Sequence, residues 1–259
     1  PRRPVSIKQD RDGVVCQLDR GVIHGRLLVG CDGAKSWVRQ QIPLKVAIRS
    51  YQQQALVTVV KTEYPHQSFA YQRFLKTGPV GLLPLHNPHL SALIWSCEND
   101  FSRKLMQLSS NKVANRLINV MQSHLGGMEV MVPIRAIPLI ARHAEDAVYG
   151  RVVLQGDALQ NIHPLAGQGA NLGLKDACCL SQAIDRYRRH FEENKMTGLL
   201  AFYARRRQVE RKRFGLLMRA LSEGYGSQDF IDVMLRSKGM ETINRFDCIK
   251  NQIMQSMIG

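Results

Sequence analysis

The sequence predicts a mixed fold of α/β (α+β) class with one region shaped for a large polar cofactor. Three observations carry that expectation. The apolar run Val152-Val153-Leu154 ends in Gln155-Gly156-Asp157-Ala158, and the loop His163-Pro164-Leu165-Ala166-Gly167-Gln168-Gly169 then leads into a helical pattern. A second apolar run, Leu27-Leu28-Val29-Gly30, ends in Cys31-Asp32-Gly33. Residues 51–97 read as a mostly antiparallel sheet, and the C-terminal third carries apolar residues at helical spacing. A strand sets position, and an Asp at its end accepts hydrogen bonds from sugar hydroxyls. Glycines let backbone N–H groups approach a ligand, and a helix start adds unpaired donors and a positive dipole end.

In chain order, Val5 and Ile7, Val14 to Leu18, and Val22 to His24 are three short strands of a meander, turned at Asp10-Arg11-Asp12-Gly13 and Asp19-Arg20-Gly21. A short helix is expected over Ala34 to Gln41. Strands follow at Ala55 to Val60, Ser68 to Phe74, Val80 to Leu85 and Leu90 to Ser96, with turns at Gly78-Pro79 and His86-Asn87-Pro88-His89. Lys112 to Leu125 reads as a helix stopped by Gly126-Gly127, and Val130 to Ile140 as strand marked by Pro133 and Pro138. Leu174, Ala177, Cys178, Ser181 and Ile184 recur at helical spacing. A long basic helix spans Leu199 to Leu221, and Ile243, Phe246, Ile249, Ile253 and Met257 form a helical stripe that docks on its own domain or on a subunit partner.

The 259 residues suffice for one large domain or two modest ones, and a 44% hydrophobic content is ordinary for a globular protein. No run reaches the about 18 apolar residues of a membrane-spanning helix, and Pro1-Arg2-Arg3-Pro4 does not read as a signal peptide. Six cysteines without CxxC or zinc spacing indicate reduced thiols in a cytoplasmic setting and no metal site. The net charge of +15 favours an acidic partner: nucleic acid, an anionic membrane or a phosphate-bearing ligand.

Gly167, Gly169 and Gly173 miss the GxGxxG spacing by one position, and no true dinucleotide fingerprint occurs in the chain. The plain alternative is a tight strand-to-helix turn without ligand; two acidic strand ends together favour the cofactor. Either the protein is not a dinucleotide binder, or its first βαβ unit lies outside these residues. His163 reads as a loop histidine bonded to backbone rather than as a base. Ser36 and Ser181 lack a nucleophile elbow, and Cys178 and Cys179 read as core packing. No catalytic residue is therefore assigned. The basic stretch from Arg186 through Arg205, Arg206, Arg207 and Arg211 to Arg213 reads first as a solvated helix face. Contact with anionic lipid is the sharper alternative, and nucleic acid is not expected, because no nucleic-acid-binding fold is recognisable.

These residues resemble a known family. Leu28-Val29-Gly30-Cys31-Asp32-Gly33-Ala34-Lys35-Ser36-Trp37-Val38-Arg39 is similar to the DG motif of class A flavin monooxygenases. Gly156-Asp157-Ala158 to Gly173 resembles their second FAD motif, in the HPLAGQG form of the ubiquinone-biosynthesis hydroxylases, closest to the octaprenylphenol hydroxylase branch. Gly81-Leu82-Leu83-Pro84-Leu85 to Trp95-Ser96 looks like the substrate-domain sheet of that group. Lys35 and Leu159-Gln160 depart from the group's usual residues, so no side-chain role follows for Lys35 or Gln160.

The resemblance implies a truncated FAD-binding domain plus a mostly antiparallel substrate-domain sheet and C-terminal helices: a remnant of the FAD domain at 1–44, a substrate sheet and helix at 45–145, the second FAD motif at 146–185 and basic helices at 186–259. The expected protein is the C-terminal portion of a longer flavoprotein that carries GxGxxG earlier, with weak FAD binding and little activity of its own. By resemblance, Asp157 with Gly156 binds the ribityl hydroxyls of FAD, and Pro164, Gly167, Gln168, Gly169 and Asn171 line the isoalloxazine edge. Asp32, Gly33 and Arg39 sit near the pyrophosphate and ribityl chain. The implied activity is aromatic hydroxylation of a polyprenylphenol-type lipid through a flavin C4a-hydroperoxide, with NAD(P)H or a donor protein as electron source. The protein is expected to be a homo-oligomer that touches a membrane surface or a biosynthetic complex. The alternatives are a flavin hydroxylase of a soluble aromatic and a non-catalytic basic scaffold.

Overall fold

The computed structural model describes residues 2–121, 125–161, 169–187 and 193–226. In chain order the elements are β1 (Pro4–Gln9), β2 (Val14–Leu18), β3 (Val22–Gly25), β4 (Leu28–Gly30), α1 (Trp37–Gln40), β5 (Val46–Thr62), β6 (Tyr71–Leu75), β7 (Gly78–Pro84), β8 (Leu90–Glu98), α2 (Asn99–Met106), α3 (Ser110–Met121), β9 (Met128–Val130), β10 (Arg135–Ala144), β11 (Val148–Tyr149), β12 (Val152–Leu154), β13 (Gln160–Asn161), α4 (Gly169–Tyr187) and α5 (Glu193–Gly226). The chain divides into two units, one of Pro1–Arg49 with Ala141–Gly259 and one of Ser50–Ile140.

The first unit contains the predicted meander, with β1, β2 and β3 paired antiparallel in that order. Its first turn is fastened by Asp10, whose carboxylate accepts the N–H groups of Asp12 and Gly13 at 2.9 Å each. A second small sheet has the order β11-β12-β4, and β12 runs parallel to β4. All three residues of β12 are buried, as a short continuous apolar run predicts for a strand covered on both faces. They pack in one core with Leu159, Leu180, Ala183, Leu199 and Tyr203, which joins the small sheet to α4 and α5.

The α4 surface differs from the predicted one. Leu174, Ala177, Cys178 and Ser181 are exposed, Leu174 by 65%, while Leu172, Asp176, Cys179, Leu180 and Ala183 form the buried side. The packing expected of Cys178 therefore belongs to Cys179 alone. Counting apolar residues misplaced the face because a carboxylate, Asp176, sits at its centre. The Ile243 to Met257 stripe lies outside the described residues.

In the second unit, β10, β5, β8, β7 and β6 lie side by side in that order, and β9 pairs with β5. Alternation divides the sheet cleanly. Leu56, Val80, Leu82, Leu93 and Trp95 are buried in one cluster with Leu105 of α2 and Val113, Leu117 and Met121 of α3. Each such side chain contributes about 1.5–3 kcal/mol through its burial. The opposite sheet face stays half open: register places Val57, Ile94 and Gly81 in one row across β5, β8 and β7. On that open side Phe74 and Leu83 are exposed by 48% and 43%.

The strand expected from Val130 to Ile140 is instead two strands, β9 and β10, interrupted around Pro133, and the one expected from Ser68 starts at Tyr71. Further differences have their own causes. β5 has 17 residues rather than the six from Ala55 to Val60; its first half is largely exposed, and its few apolar residues do not alternate with polar ones. α2 was not anticipated, because its eight residues bury Ser102 and Leu105 and offer less than a full period of apolar signal. The turn expected at Gly78-Pro79 lies two residues earlier, at Lys76-Thr77. Gly78 opens β7 with φ +121, and a Cβ there would stand 2.1 Å from the Ser96 carbonyl oxygen, so glycine serves close strand approach.

Candidate functional site

The parallel pairing of β4 and β12 matches Leu28 with Val152, Val29 with Val153 and Gly30 with Leu154. Both strands therefore end at the same level, and each runs on into an acidic turn, Cys31-Asp32 and Gly156-Asp157. The Gln155 N–H extends the pairing to the Gly30 carbonyl at 3.0 Å. This is the carboxyl edge of a parallel pair, where α/β folds place ligands.

Asp32 caps α1. One carboxylate oxygen accepts the N–H groups of Trp37 at 2.7 Å and Val38 at 3.0 Å, while the buried Ser36 hydroxyl accepts that of Arg39 at 2.9 Å. Burial alone would raise the Asp32 pKa, but the bonds from Ser36 and from the Val38 and Trp37 N–H groups outweigh it and hold the carboxyl below its usual range. The Gly33 carbonyl accepts the Ser36 N–H at 2.9 Å and so closes the turn.

Arg39 straps the two acidic turns together. Its buried guanidinium donates to the carbonyls of Ala158 at 2.7 Å and Asp157 at 3.4 Å, and its other terminal nitrogen to that of Ala34 at 2.7 Å. Burial and the nearby Arg142 lower its pKa, against the opposing pull of Asp32.

Gly156 takes a positive φ of +55, and its N–H donates to an Asp176 carboxylate oxygen at 2.7 Å. A Cβ on Gly173 would stand 3.4 Å from the Gly156 Cα, so two glycines let α4 lie close to the turn. Asp157 is half-buried and accepts from the Asn161 amide at 3.2 Å. The α4 start is beside it: a Cβ on Gly169 would stand 4.0 Å from an Asp157 carboxylate oxygen. Asn171 is half-buried in the first turn of α4. Pro164, Gly167 and Gln168, with His163, lie outside the described residues.

Sequence reasoning missed the polar interior behind this edge. The Asp176 carboxylate meets Arg207 of α5 at 2.5 Å, and both side chains are fully buried. Arg207 also pairs with Glu210, and the Tyr203 hydroxyl donates to the Leu154 carbonyl at 3.2 Å. Arg211 donates to the Ala144 carbonyl at 2.6 Å and to Gln160 at 3.1 Å, and one of its terminal nitrogens stands 2.6 Å from His143 Nε2. The solvated reading of the basic stretch thus holds for the exposed Arg205 and Arg206 and fails for Arg207 and Arg211. A signal was present in the spacing: Asp176 lies three and four residues before the buried Cys179 and Leu180, and Arg207 lies four after the buried Tyr203.

The edge offers what an FAD ribityl chain and flavin require. It has a partly open carboxylate for hydroxyl groups, a helix start for negative charge, and glycines in place of side chains where backbone must approach.

Residues 2–213 match the family model described as FAD binding domain. The chain is 31% identical over 264 residues to ubiquinone hydroxylase UbiL of Rhodospirillum rubrum, covering 100% of this chain and 60% of that protein. It is 30% identical over 291 residues to the mitochondrial ubiquinone biosynthesis monooxygenase COQ6 of Danio rerio, covering 97% of this chain and 59% of that protein. Among solved structures, p-nitrophenol 4-monooxygenase PnpA from Pseudomonas putida matches with a TM-score of 0.74 at 19% identity, over 100% of this chain and 67% of that one. The fold is therefore that of the FAD-dependent monooxygenases. The chain belongs to the FAD binding domain family, and FAD is its cofactor. It spans about 60% of the length of the curated relatives it matches.

Proposed function

We propose that the protein works as an FAD-dependent hydroxylase of an aromatic ring, acting on a polyprenylphenol-type intermediate of ubiquinone biosynthesis. The observation that carries this reading is the parallel β4–β12 edge with Asp32 and Asp157 at its two ends, in a chain whose 30–31% identical relatives are ubiquinone hydroxylases. The first unit serves the cofactor and the second the substrate. Bound FAD supplies the redox chemistry, taking electrons from NAD(P)H or a donor protein and activating O2.

The chain's own residues bind and orient. Asp157 accepts the ribityl hydroxyls, and the α4 start, from Gly169 through Asn171, stabilises negative charge on the flavin. Arg39 and Asp32 act mainly by fixing the two turns: Arg39 by its bonds to three carbonyls, Asp32 by capping α1. The half-open apolar sheet face of the second unit, with Phe74 and Leu83, suits a prenylated ring better than a small polar one. The exposed Arg205 and Arg206 suit an anionic membrane surface. No helix among the described residues is long and apolar enough to cross a membrane.

The test is a product assay on the protein supplied with FAD and a reductant. A polyprenylphenol should be converted to its hydroxylated product, and 4-hydroxybenzoate should not. Turnover of the soluble aromatic alone would overturn the substrate assignment, and turnover without FAD would overturn the mechanism. Asp157→Ala should weaken FAD binding by roughly tenfold or more, the scale of a lost charge-assisted hydrogen bond. We further infer that residues 1–259 by themselves hold FAD weakly, because no GxGxxG sequence occurs in them. One equivalent of FAD retained through purification would contradict this.

A further inference from the structure

We propose that Asp176, held by Arg207, is a positioning residue for the cofactor turn: it fixes the Gly156 N–H and so aims the Asp157 carboxylate. The proposal rests on the reading that Asp157 binds FAD.

Three observations support it. Gly156 stands at φ +55, a conformation that glycine enters and leaves freely, so contacts from outside the turn must hold it there. Its N–H is anchored by a charged acceptor, Asp176, at 2.7 Å rather than by a neutral carbonyl. Asp176 is in turn fixed by Arg207 at 2.5 Å from a different helix, and by the Gln155 amide, which donates to its backbone carbonyl at 3.2 Å. The site turn is thus held at two successive residues, Gln155 and Gly156, directly before Asp157, by α4 with α5 behind it.

A fully buried ion pair is costly to desolvate and is a poor means of stability alone. An apolar pair would hold α4 to α5 at least as well. An apolar pair has no acceptor for the Gly156 N–H and no charge to orient that acceptor. The pair therefore has a directional role that packing cannot supply. It also makes α5 part of the cofactor site, although no α5 side chain is assigned to the cofactor.

The experiment measures FAD affinity, the visible spectrum of bound flavin and thermal stability on the full chain. The variants are Asp176→Asn, the neutral pair Asp176→Asn with Arg207→Gln, Tyr203→Phe and Asp157→Ala. Asp176→Asn keeps an oxygen near Gly156 but removes the buried anion beside Arg207, which retains Glu210. It should weaken FAD by roughly tenfold and alter the flavin band shape, the scale seen when a supporting residue of a binding group is lost. The neutral pair should recover most of that affinity. Tyr203→Phe removes another buried α5 bond, to the Leu154 carbonyl, and should lower stability without changing the spectrum or the affinity.

Asp176→Asn binding FAD like wild type, while Asp157→Ala does not, would overturn the proposal. So would equal losses of affinity in Asp176→Asn and Tyr203→Phe, which would make the role purely structural. If Asp157→Ala leaves FAD binding intact, the cofactor-site reading itself fails.

Discussion

The two units solve burial differently. In the second, the buried polar side chains are the hydroxyls of Thr58, Thr62, Ser91, Ser96 and Ser102 and the ring of His66, all set among an apolar sheet and two helices. Two of them make a single neutral bond each: Thr58 donates to the Val132 carbonyl at 2.6 Å and Ser102 to Gln54 at 2.7 Å. In the first unit, Arg39, Asp176, Arg207 and Arg211 are buried with Gln155 and Gln160. Those groups include charged side chains with several partners each, as Arg39 has with the carbonyls of Ala34, Asp157 and Ala158, and Arg211 with Ala144, Gln160 and His143. A packed apolar core tolerates shifts of a few tenths of an ångström, whereas a directional network fixes where backbone N–H and C=O groups point. The first unit bears the acidic strand ends, and its interior is the one built for direction.

The largest effect is expected from stranding one buried charge of the first unit. Arg207→Met leaves the Asp176 carboxylate buried without its cation and should cost about 3–5 kcal/mol. In a unit of this size that lowers Tm by roughly 10 °C. Adding Asp176→Asn should return much of the loss, because the uncompensated charge is then gone. If the single and double variants melt alike, the interior of the first unit is ordinary packing and the contrast disappears. Leu82→Ala in the second unit is the counterpart. Leu82 is fully buried in the apolar cluster, and its truncation should cost about 2–4 kcal/mol. FAD affinity should stay unchanged, and a loss comparable to that of Asp157→Ala would contradict the division of labour between the units.

The same contrast explains what was legible in the sequence. The β12 run, the β1–β3 meander and the β7–β8 hairpin were readable because apolar alternation and turn residues act locally. The two acidic strand ends were readable as a pair because each followed an apolar run directly. Their parallel pairing was not, since β4 and β12 are separated by more than a hundred residues and only the fold brings them together. The charged interior was misread for a physical reason. A composition rule sends Asp176, Arg207 and Arg211 to the surface, because unpaired charges almost never occupy a core. Pairing overrides the rule, and a partner from another helix cannot be seen in one helix's spacing. Arg39 shows the same limit. Its place in the DG-like segment was apparent, but its work as a strap between Ala34, Asp157 and Ala158 depends on contacts made across the fold.

The smallest expected effect concerns the outer end of the network. Burial of the inner side of the His143 ring, and then the Arg211 guanidinium beside it, push its pKa down from 6.5 to about 4, although the side chain keeps an exposed edge. An unfolded chain therefore takes up this proton at a higher pH than the folded one does. The neutral ring's contribution is complete above about pH 6.5 and is lost as pH falls toward 4. Solvent on the exposed edge screens the effect, so the loss is about 1 kcal/mol or less, a few degrees in Tm. His143→Gln keeps an acceptor for Arg211 and removes the titration. Melting curves of wild type and variant, taken from pH 7.5 to pH 4.5, should coincide at the upper end and separate below about pH 6, with wild type falling faster. Parallel curves across the whole range would mean that His143 stays solvated and that the directional network stops at Arg211.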